Sequence, residues 1–305
     1  MDAIEKNLLS EIADLHEVPS GAYNLRANGT ALGRRSTENV EIVPKEDKPG
    51  IDIYIKAGTK NESVHIPVII SQTGLKDLVY NDFYIGEDSD VLIIAGCGIH
   101  NTGDSESAHD GIHSFHIGKN ARLRYVEKHY GVGDGKGENV MNPTTLIEID
   151  DGGYMEMETT QIKGIDSTIR ETSAKLKSGA SLVVKEKIMT HGRQKAETNF
   201  VVDLDGEDSS AHLVSRSVAK ENSYQVFRSK VNGNTKCMSH TECDAIIMDS
   251  ASVSAIPEVT ANHIDAQLVH EAAIGKIAGE QLMKLMTLGL SEKEAEEHIV
   301  NGFLK

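Results

Sequence analysis

The sequence is poor in aromatic residues, in basic residues and in long hydrophobic segments. Its 305 residues include eight Tyr, five Phe and no Trp, and the formal net charge is −16 at pH 7. An excess of negative charge repels nucleic-acid phosphates and anionic lipid surfaces. No apolar run approaches the roughly 18 residues that cross a bilayer as a helix. We therefore expect a soluble, acidic protein that binds neither nucleic acid nor membranes.

Cysteine is also scarce. The three cysteines, Cys97, Cys237 and Cys243, are an odd number, in a chain long enough to bury a core without covalent cross-links. Residues 1–6 provide neither the basic nor the apolar part of a secretory signal. These features predict a cytoplasmic protein with free thiols.

One glycine-rich segment, at residues 131–137, resembles a phosphate-binding loop. Lys136 is followed by Gly137, whereas a P-loop has Ser or Thr at that position, and the glycine spacing does not fit a dinucleotide-binding turn. Polar glycine-rich segments of this kind are usually flexible connections. We therefore expect no nucleotide site here.

Helical periodicity is confined to the two ends of the sequence. Near the N-terminus, apolar residues recur at the spacing of one helix face, at Ile4, Leu8, Ile12 and Leu15. Near the C-terminus, an apolar stripe within residues 282–286 precedes Ser291 and Glu294, which form a capping box. These patterns predict one helix at the start of the chain and two at its end.

Between about residues 39 and 271 the pattern changes to short alternating strands, such as residues 51–55 and 154–158. A polar turn and a small residue precede many of them, at Ser89, Ala121, Gly153, Ala180, Ala211, Ala251 and Ala266. The intervals vary but cluster near roughly 30 residues, a length typical of stacked repeats. A β-solenoid needs a small side chain in each corner, while neighbouring coils bury one another's apolar faces. The pattern predicts an all-β fold and leaves a solenoid and a β-sandwich open.

Five side chains that can bind metal lie within twenty residues, at Cys97, His100, His109, His113 and His116. Their spacing, Cys-x2-His and then His-x3-His, falls within the range of tetrahedral zinc sites. The segment between them is loop-like, however, and His113 and His116 would face opposite sides of a strand. A set of hydrogen-bonded histidines is therefore the alternative to a metal site.

A third candidate joins Cys243 to the pair His270 and Glu271. His270 shares a strand face with Leu268, whereas Glu271 lies on the other face. An ionisable group that is buried without a partner is costly, so the inward member of the pair requires one. A thiolate with an imidazole or a carboxylate can bind iron or zinc, or act as a nucleophile or sulfur acceptor. A buried, inert cysteine is the alternative.

Four segments near the C-terminus have a recognisable order and spacing. They are residues 242–245 (Glu-Cys-Asp-Ala), 266–272 (Ala-Gln-Leu-Val-His-Glu-Ala), 279–282 (Gly-Glu-Gln-Leu) and 299–303 (Ile-Val-Asn-Gly-Phe). In these segments the chain closely resembles the SufB/SufD family of iron–sulfur cluster assembly proteins. The resemblance is specific over about residues 242–305 and looser upstream.

The resemblance implies an all-β fold, a right-handed parallel β-helix with short helical segments at both ends. We divide the chain accordingly into an N-terminal helical segment (1–38), a β-helix core (39–271) and a C-terminal helical segment (272–305). The resemblance further implies a scaffold for cluster assembly that works with an ABC-type ATPase, SufC. The SufB branch carries the cysteine and the His-Glu pair, so this chain is similar to SufB.

Carried over to this sequence, the resemblance implies that Cys243 receives sulfur or binds the nascent cluster. Glu271 would be an oxygen ligand or proton acceptor, and His270 a further ligand or an interface group. A site poor in cysteine suits a transient iron–sulfur cluster, of a type that the resemblance does not specify. The implied partners also include a sulfur donor and apo-protein acceptors.

The chain departs from larger family members, because it is shorter before the β region and ends at Lys305, soon after residues 301–303. This difference predicts a compact form that works as a homodimer. Two other functions remain open, namely a metal-dependent enzyme that uses Cys97 and His100 to His116, and a structural SufD-like partner. We expect a scaffold rather than a turnover enzyme.

Overall fold

The computed structural model describes residues 3–16 and 19–305. Residues 1, 2, 17 and 18 of the N-terminal segment predicted above lie outside the described residues. The helices are α1 (Ala3–Ala13), α2 (Gly279–Thr287) and α3 (Glu292–Phe303). The strands are β1 (Ala22–Ala27), β2 (Thr30–Arg35), β3 (Val40–Pro44), β4 (Gly50–Ile55), β5 (Lys60–Ile70), β6 (Lys76–Ile85), β7 (Asp90–His100), β8 (Ser107–Ile117), β9 (Arg122–Val132), β10 (Asn139–Met141), β11 (Thr144–Ile149), β12 (Tyr154–Lys163), β13 (Ser167–Leu176), β14 (Ser181–Thr190), β15 (Lys195–Leu204), β16 (Ser209–Ala219), β17 (Tyr224–Gly233), β18 (Cys237–Ile247), β19 (Ser252–Ala261) and β20 (Gln267–Gly275).

The strands form two sheets of ten strands each. Sheet 1 has the order β2-β1-β5-β7-β9-β12-β14-β16-β18-β20, and sheet 2 has the order β19-β17-β15-β13-β10-β8-β6-β4-β3, with β11 also between β8 and β13. The strands from β5 onward pair with parallel neighbours, whereas β1–β2 and β3–β4 are antiparallel. The result is a parallel β-solenoid of about eight turns. It confirms the predicted β-helix, and the alternative of a β-sandwich is wrong.

Small side chains fill the corners of the coils, as the repeat pattern predicts. In sheet 1 the residues just before the aligned strand starts are Ser89, Ala121, Gly153, Ala180, Ser209, Cys237 and Ala266. Two positions of the sequence pattern need correction. Ala211 lies inside β16, because Ser209 is equally small and fills the corner, and Ala251 precedes β19 of sheet 2. With these corrections the corners of sheet 1 recur at regular intervals.

The chain enters several of these corners in a left-handed backbone conformation. Asp88, Asn120 and Asp208 have φ values of 55°, 54° and 57°. Asp and Asn tolerate this region because their short polar side chains can hydrogen-bond locally. Polar turn residues therefore precede the small corner residues for a conformational reason.

Apolar side chains at alternate strand positions fill the interior of the solenoid, which we call the lumen. In sheet 1, Val91, Leu123, Met155 and Leu182 are consecutive register partners, and all four are buried. Burial of each large aliphatic side chain contributes about 1.5–3 kcal/mol. In sheet 2, the rings of Phe83 and Phe115 stack with their centroids 4.4 Å apart. The stacked coils thus share one continuous core.

Helix α1 covers the first coils on the side of sheet 1. Leu8 and Ile12 are fully buried, as the apolar stripe predicts, whereas Ile4 is 41% exposed and Leu15 lies after the end of the helix. Strand β7 has Gly96 and Gly98 beneath the helix, and a Cβ atom on Gly96 would lie 2.7 Å from the carbonyl oxygen of Ile12. Glycine therefore permits the close approach of α1 to the sheet.

The C-terminal end of the solenoid is more open. Strands β19 and β20 are the last strands of their sheets, and α2 and α3 follow them. Ile256 and Val259 of β19 are exposed, and α2 buries none of its residues. The capping box between Ser291 and Glu294 is present at the start of α3, as predicted. In the described part of the chain, no helix has the length and hydropathy needed to cross a bilayer.

Candidate functional site

A ladder of polar side chains runs along the inner face of sheet 1. Its members are the register partners Glu127, Thr159, Glu186, Ser215 and Cys243, on β9, β12, β14, β16 and β18. All five are buried. The next position, on β20, is Ala272. Because Ala272 is apolar, Cys243 is the last polar member of the ladder before the open end of the solenoid.

The thiol of Cys243 is protonated at neutral pH. Its residue is 1% exposed. Burial raises the pKa of the thiol to about 12, and the carboxylates of Glu186 and Asp244 act in the same direction. The reactive form of cysteine is the thiolate, so this thiol is a poor nucleophile on its own. A metal ion that binds Cys243 must displace its proton, and such binding strengthens as the pH rises.

His270 projects from β20 toward the same side of the sheet as Cys243. It pairs with Thr241, and Cys243 pairs with Ala272, so both residues occupy inward positions. Neither ring nitrogen of His270 has a hydrogen-bond partner within residues 3–16 and 19–305. Burial lowers the pKa of this imidazole, and His240 lowers it further. A neutral imidazole has a lone pair that can bind a metal.

Glu271 lies on the opposite face of the same strand. Its register partner is Glu242, and its side chain is 68% exposed. One carboxylate oxygen, Oε2, is 3.7 Å from Nε2 of His240. The structure therefore brings Cys243 and His270 to the inner face of neighbouring strands, and it places Glu271 outside. The alternation of side chains along a strand separates two residues that are adjacent in sequence.

The structure divides the second set of candidate residues. Cys97, His109 and His113 line one cavity in the lumen, together with Glu127 and His129. His100 lies at the end of β7 and His116 on the outer face of β8, where its Nδ1 is 3.4 Å from Glu148 Oε2. The prediction that His113 and His116 face opposite sides is confirmed, since the first is buried and the second is not.

The histidines in the lumen already lie close to polar side chains, although Nδ1 of His109 makes no hydrogen bond within the described residues. His109 Nδ1 lies 3.3 Å from Asp77 Oδ2, and His113 Nδ1 lies 2.9 Å from the Tyr125 hydroxyl. His129 lies 3.6 Å from the Glu127 carboxylate. Burial lowers the pKa of His113 to about 4, so this ring is neutral and its Nδ1 is engaged with the tyrosine.

A buried ion network that the sequence analysis missed lies next to these histidines. Arg170 is 2% exposed, and its Nη1 donates to Glu127 Oε2 at 2.8 Å. Its Nε lies 3.5 Å from Glu186 Oε1. Burial alone would raise the pKa of Glu127, but His129 and Arg170 outweigh it and hold that pKa well below the usual range. Burial raises the pKa of Glu186, although Arg170 opposes the shift.

A second missed group lies on the outer face of sheet 1. His212 and His240 are register partners on β16 and β18, and their rings stack with centroids 5.5 Å apart. Glu242 Oε1 lies 3.4 Å from His212 Nε2 and 3.7 Å from His240 Nδ1. We call these three residues the outer triad. The sequence does contain one indication of this group, because His212 and His240 are separated by the length of one coil.

The outer triad is the only set of its kind in residues 3–16 and 19–305. It is the one group of three or more His, Cys, Asp or Glu side chains whose possible ligand atoms all lie within 4.8 Å of one another. Within one chain, neither Cys97 with its histidines nor Cys243 with His270 and Glu271 forms such a group. A metal at either of those sites would need side-chain movement or ligands from another molecule.

Comparison with known proteins agrees with the family resemblance of the C-terminal sequence. Residues 80–303 match the family described as "SUF system FeS cluster assembly, SufBD core domain". An iron–sulfur cluster assembly SufBD family protein of Methanocaldococcus jannaschii is 31% identical over 272 residues, which cover 88% of this chain and 85% of that protein.

Two further relatives are matched over smaller shares of their length. A SufBD family protein of Methanothermobacter thermautotrophicus is 32% identical over 248 residues, 78% of this chain but 57% of that protein. The iron–sulfur cluster assembly protein SufB of Bacillus subtilis is 38% identical over 102 residues, which are 32% of this chain and 22% of SufB.

A parallel β-solenoid with a family match over most of its length defines the class of this protein. The chain belongs to the SufBD family of iron–sulfur cluster assembly proteins. Family membership indicates a role in the assembly of iron–sulfur clusters.

Proposed function

We propose that this protein is a scaffold on which iron–sulfur clusters are assembled and from which they pass to apo-proteins. The observation that carries the proposal is the position of Cys243 and His270 on the inner face of neighbouring strands, β18 and β20, at the end of sheet 1. The imidazole of His270 has two unpaired nitrogens within the described residues, which supports a ligand role.

The chemistry of this pair fits transient rather than permanent binding. Iron–sulfur clusters prefer thiolate ligands, and one thiolate with an imidazole holds a cluster less firmly than four cysteines do. Iron would take the place of the thiol proton of Cys243, because a coordinating thiol is deprotonated outright. Sulfur would arrive from a persulfide donor. The Cys243 thiolate forms a bond to the outer sulfur, the donor's S–S bond breaks, and the donor leaves as a thiolate.

We propose that the site is completed in a homodimer formed through the open end of the solenoid. Strands β19 and β20 are edge strands, which readily pair with another chain. Ile256, Val259 and Ile274 are large apolar side chains exposed on these strands. A second copy on this surface would provide a second thiol, and exposed Glu271 would then serve as an oxygen ligand or proton acceptor at the rim.

We further propose that an ABC-type ATPase of the SufC kind supplies ATP hydrolysis. The sequence of this chain contains no P-loop motif. Met283 and Leu288, on and just after α2, are 64% and 81% exposed, which supports a docking surface on the C-terminal helices. The three cysteines are free and buried, which supports work in the reducing cytoplasm.

Anaerobic reconstitution with ferric iron, sulfide and a thiol reductant tests the scaffold proposal. We expect the wild-type protein to gain visible absorbance, and we expect Cys243→Ala and Glu271→Ala to abolish it. Cys237→Ala is the matched control, because Cys237 is also a buried free thiol but lies in a corner of the solenoid. Colour that persists in Cys243→Ala and disappears in His109→Ala would overturn the proposal in favour of the lumen cavity.

Co-purification with the cognate ABC-type ATPase tests the partner. We expect a complex that survives gel filtration and that weakens when Met283 and Leu288 are both changed to Ser. The Cys243→Ala variant should bind the ATPase normally, because the thiol is remote from α2 in sequence and buried in the lumen. No binding of the wild-type protein would contradict the proposed partnership.

A further inference from the structure

We propose that the outer triad of His212, His240 and Glu242 is a binding site for a divalent transition-metal ion, separate from Cys243. Two imidazoles and one carboxylate with open positions are the ligand set of mononuclear non-haem Fe(II) centres. We therefore assign ferrous iron as the ion that the site takes. The inference goes beyond the proposed scaffold function and does not depend on it.

The ligand atoms of the outer triad lie close enough together to share one ion. Facial ligands at about 2.1–2.2 Å from an octahedral Fe(II) ion are roughly 3.0 Å from one another. Glu242 Oε1 is 3.4 Å from His212 Nε2 and 3.7 Å from His240 Nδ1. The first of these contacts is a hydrogen bond, but it is longer than the usual range of about 2.7–3.2 Å. Small side-chain rotations would therefore bring all three atoms onto one ion.

The backbone holds the three side chains close together before any metal binds. His212 and His240 are register partners on neighbouring strands, and Glu242 is two positions after His240 on the same outer face. Strand positions on a sheet that is packed over a buried lumen have little freedom to move apart. The entropy cost of gathering the ligands has largely been met by folding.

Glu271 provides the outer partner that metal-binding histidines usually have. A histidine ligand generally donates its second ring N–H to a carboxylate, which fixes the tautomer and strengthens the metal bond. Nδ1 of His240 faces Glu242, so Nε2 is the free side, and it lies 3.7 Å from Glu271 Oε2. The same Nε2 is shielded and has no hydrogen-bond partner in the described part of the chain. Glu271 is thus a positioning residue for this site.

The electrostatic surroundings favour a cation. Glu242 and Glu271 are register partners and bring two carboxylates to one patch of the outer face. The chain as a whole has a formal net charge of −16 at pH 7. A field of this sign attracts divalent cations. Because the triad and Cys243 lie on opposite faces of β18, an ion at the triad is not bound by the thiol.

Titration with Co²⁺ as a spectroscopic probe, and with Fe²⁺ under anaerobic conditions in a calorimeter, tests the proposal. We expect one site per chain in the purified protein, and we expect His212→Ala and Glu242→Gln to abolish the visible cobalt bands. Glu271→Gln should keep the site but weaken its affinity by about 10–100-fold, because it changes only the group behind His240. Circular dichroism of each variant confirms that the solenoid is folded.

Two control variants test whether the cobalt bands arise from the outer triad alone. His116→Ala removes an imidazole of similar exposure that lies 3.4 Å from Glu148 and is not part of the triad, and it should leave cobalt binding unchanged. Cys243→Ser should also bind cobalt normally, even though it should lose cluster reconstitution. Absence of wild-type binding, unchanged binding in both His212→Ala and Glu242→Gln, or loss in Cys243→Ser would overturn the proposal. Loss of cluster colour alone, with the triad intact, bears on the scaffold function and leaves this site standing.

Discussion

The molecule has two groups of histidines, one in the lumen and one on the outer face of sheet 1, and they differ in burial and in the length of their polar contacts. In the lumen, His109 and His113 contact Asp77 and Tyr125 at 3.3 Å and 2.9 Å. On the outer face, His240 lies at 3.7 Å from each of two carboxylates. The contacts of the first group are the shorter ones. In the second group, His212 has one long hydrogen bond to Glu242 at 3.4 Å, and Nε2 of His240 has no hydrogen bond among the described residues.

The difference follows from the cost of burial. A polar group removed from water must be paired, because an unpaired one costs roughly 1–3 kcal/mol or more. The lumen therefore uses its ionisable groups to stabilise one another, around Arg170 between Glu127 and Glu186. The two histidine side chains of the outer triad are 47% and 40% exposed, so this cost is smaller and their lone pairs can serve a ligand. In this fold, a dense buried cluster of histidines indicates structure more than it indicates a metal site.

Removal of the buried guanidinium breaks the lumen network and should have the largest effect. Arg170→Met leaves the carboxylates of Glu127 and Glu186 without their shared cation, and we expect a loss of about 3–5 kcal/mol in the free energy of unfolding. Denaturant unfolding of wild type and Arg170→Met measures this loss. The control is Arg124→Met, which removes an exposed ion pair with Glu158 and should cost less than about 1 kcal/mol. Equal effects of the two substitutions would show that the lumen network contributes no special stability.

A second substitution breaks the lumen network at its N-terminal side. Asp77→Asn leaves Arg26 and His109 without their carboxylate, and we expect a loss of about 2–3 kcal/mol at pH 7. Despite burial, His109 and Arg26 hold the pKa of Asp77 well below its usual range. A lowered pKa contributes stability above about pH 4 that is lost as the pH falls. The difference in the free energy of unfolding between wild type and variant should therefore decrease by about 1 kcal/mol from pH 7 to pH 3.

Unfolding curves of both proteins across that pH range measure the gap. Glu62→Gln is a suitable control, because its carboxylate accepts hydrogen bonds from Thr37 and Asn39 rather than from buried cations. If the difference in the free energy of unfolding between wild type and Asp77→Asn stays constant from pH 7 to pH 3, the pKa of Asp77 is not lowered in the folded protein.

The Cys243 thiol extends the comparison between the lumen and the outer face to alkaline pH. Its pKa is raised to about 12, first by burial, from an ordinary value of 9.0. A raised pKa means that the unfolded chain loses its thiol proton first, so stability is full below about pH 9 and falls as the pH rises. We expect wild type to lose about 1.4 kcal/mol more than Cys243→Ala between pH 8 and pH 10. Denaturant curves at each pH measure this difference, and Cys97 and Tyr125 cancel because both proteins contain them.

The same measurement on Cys237→Ala provides the comparison for a thiol in a corner. Burial also raises the pKa of Cys237, but to a smaller extent. Identical pH profiles for wild type and Cys243→Ala would contradict the buried, protonated thiol on which the pH dependence of metal binding rests.

Much of the fold could be predicted from local patterns. Alternation predicted the strands, small residues such as Ala121 and Ala180 marked true corners, and Ser291 with Glu294 marked the start of α3. The opposite orientations of His270 and Glu271 also follow from the period of a strand. Each of these features is determined by a few consecutive residues, so it can be predicted without knowing the length of a coil.

The remaining features require the register between coils. Ser209 and Ala211 are equally suitable for a corner, and a shift of two residues was enough to hide the regular repeat. In the sequence, Arg170 resembles a charged residue on the solvated face of a strand. Its burial is explained by the carboxylates of Glu127 and Glu186, which other coils bring next to it. His212 and His240 become neighbours only when one coil is aligned a full turn from the next, so no local pattern predicts the outer triad.

We expect the smallest effect on stability from a substitution in the outer triad, because the sheet does not depend on these side chains for its structure. His212→Ala removes an exposed imidazole, and we expect the metal-free protein to change by no more than about 0.5 kcal/mol in the free energy of unfolding. The substitution removes the stacking of this ring on His240 and its long, exposed hydrogen bond with Glu242. Thermal and denaturant unfolding in the presence of a chelator measure the change. In the presence of excess Co²⁺ the wild type should gain stability through ligand binding and the variant should not. A loss above about 1 kcal/mol without metal would show that the outer triad, like the lumen, is occupied in holding the sheet together.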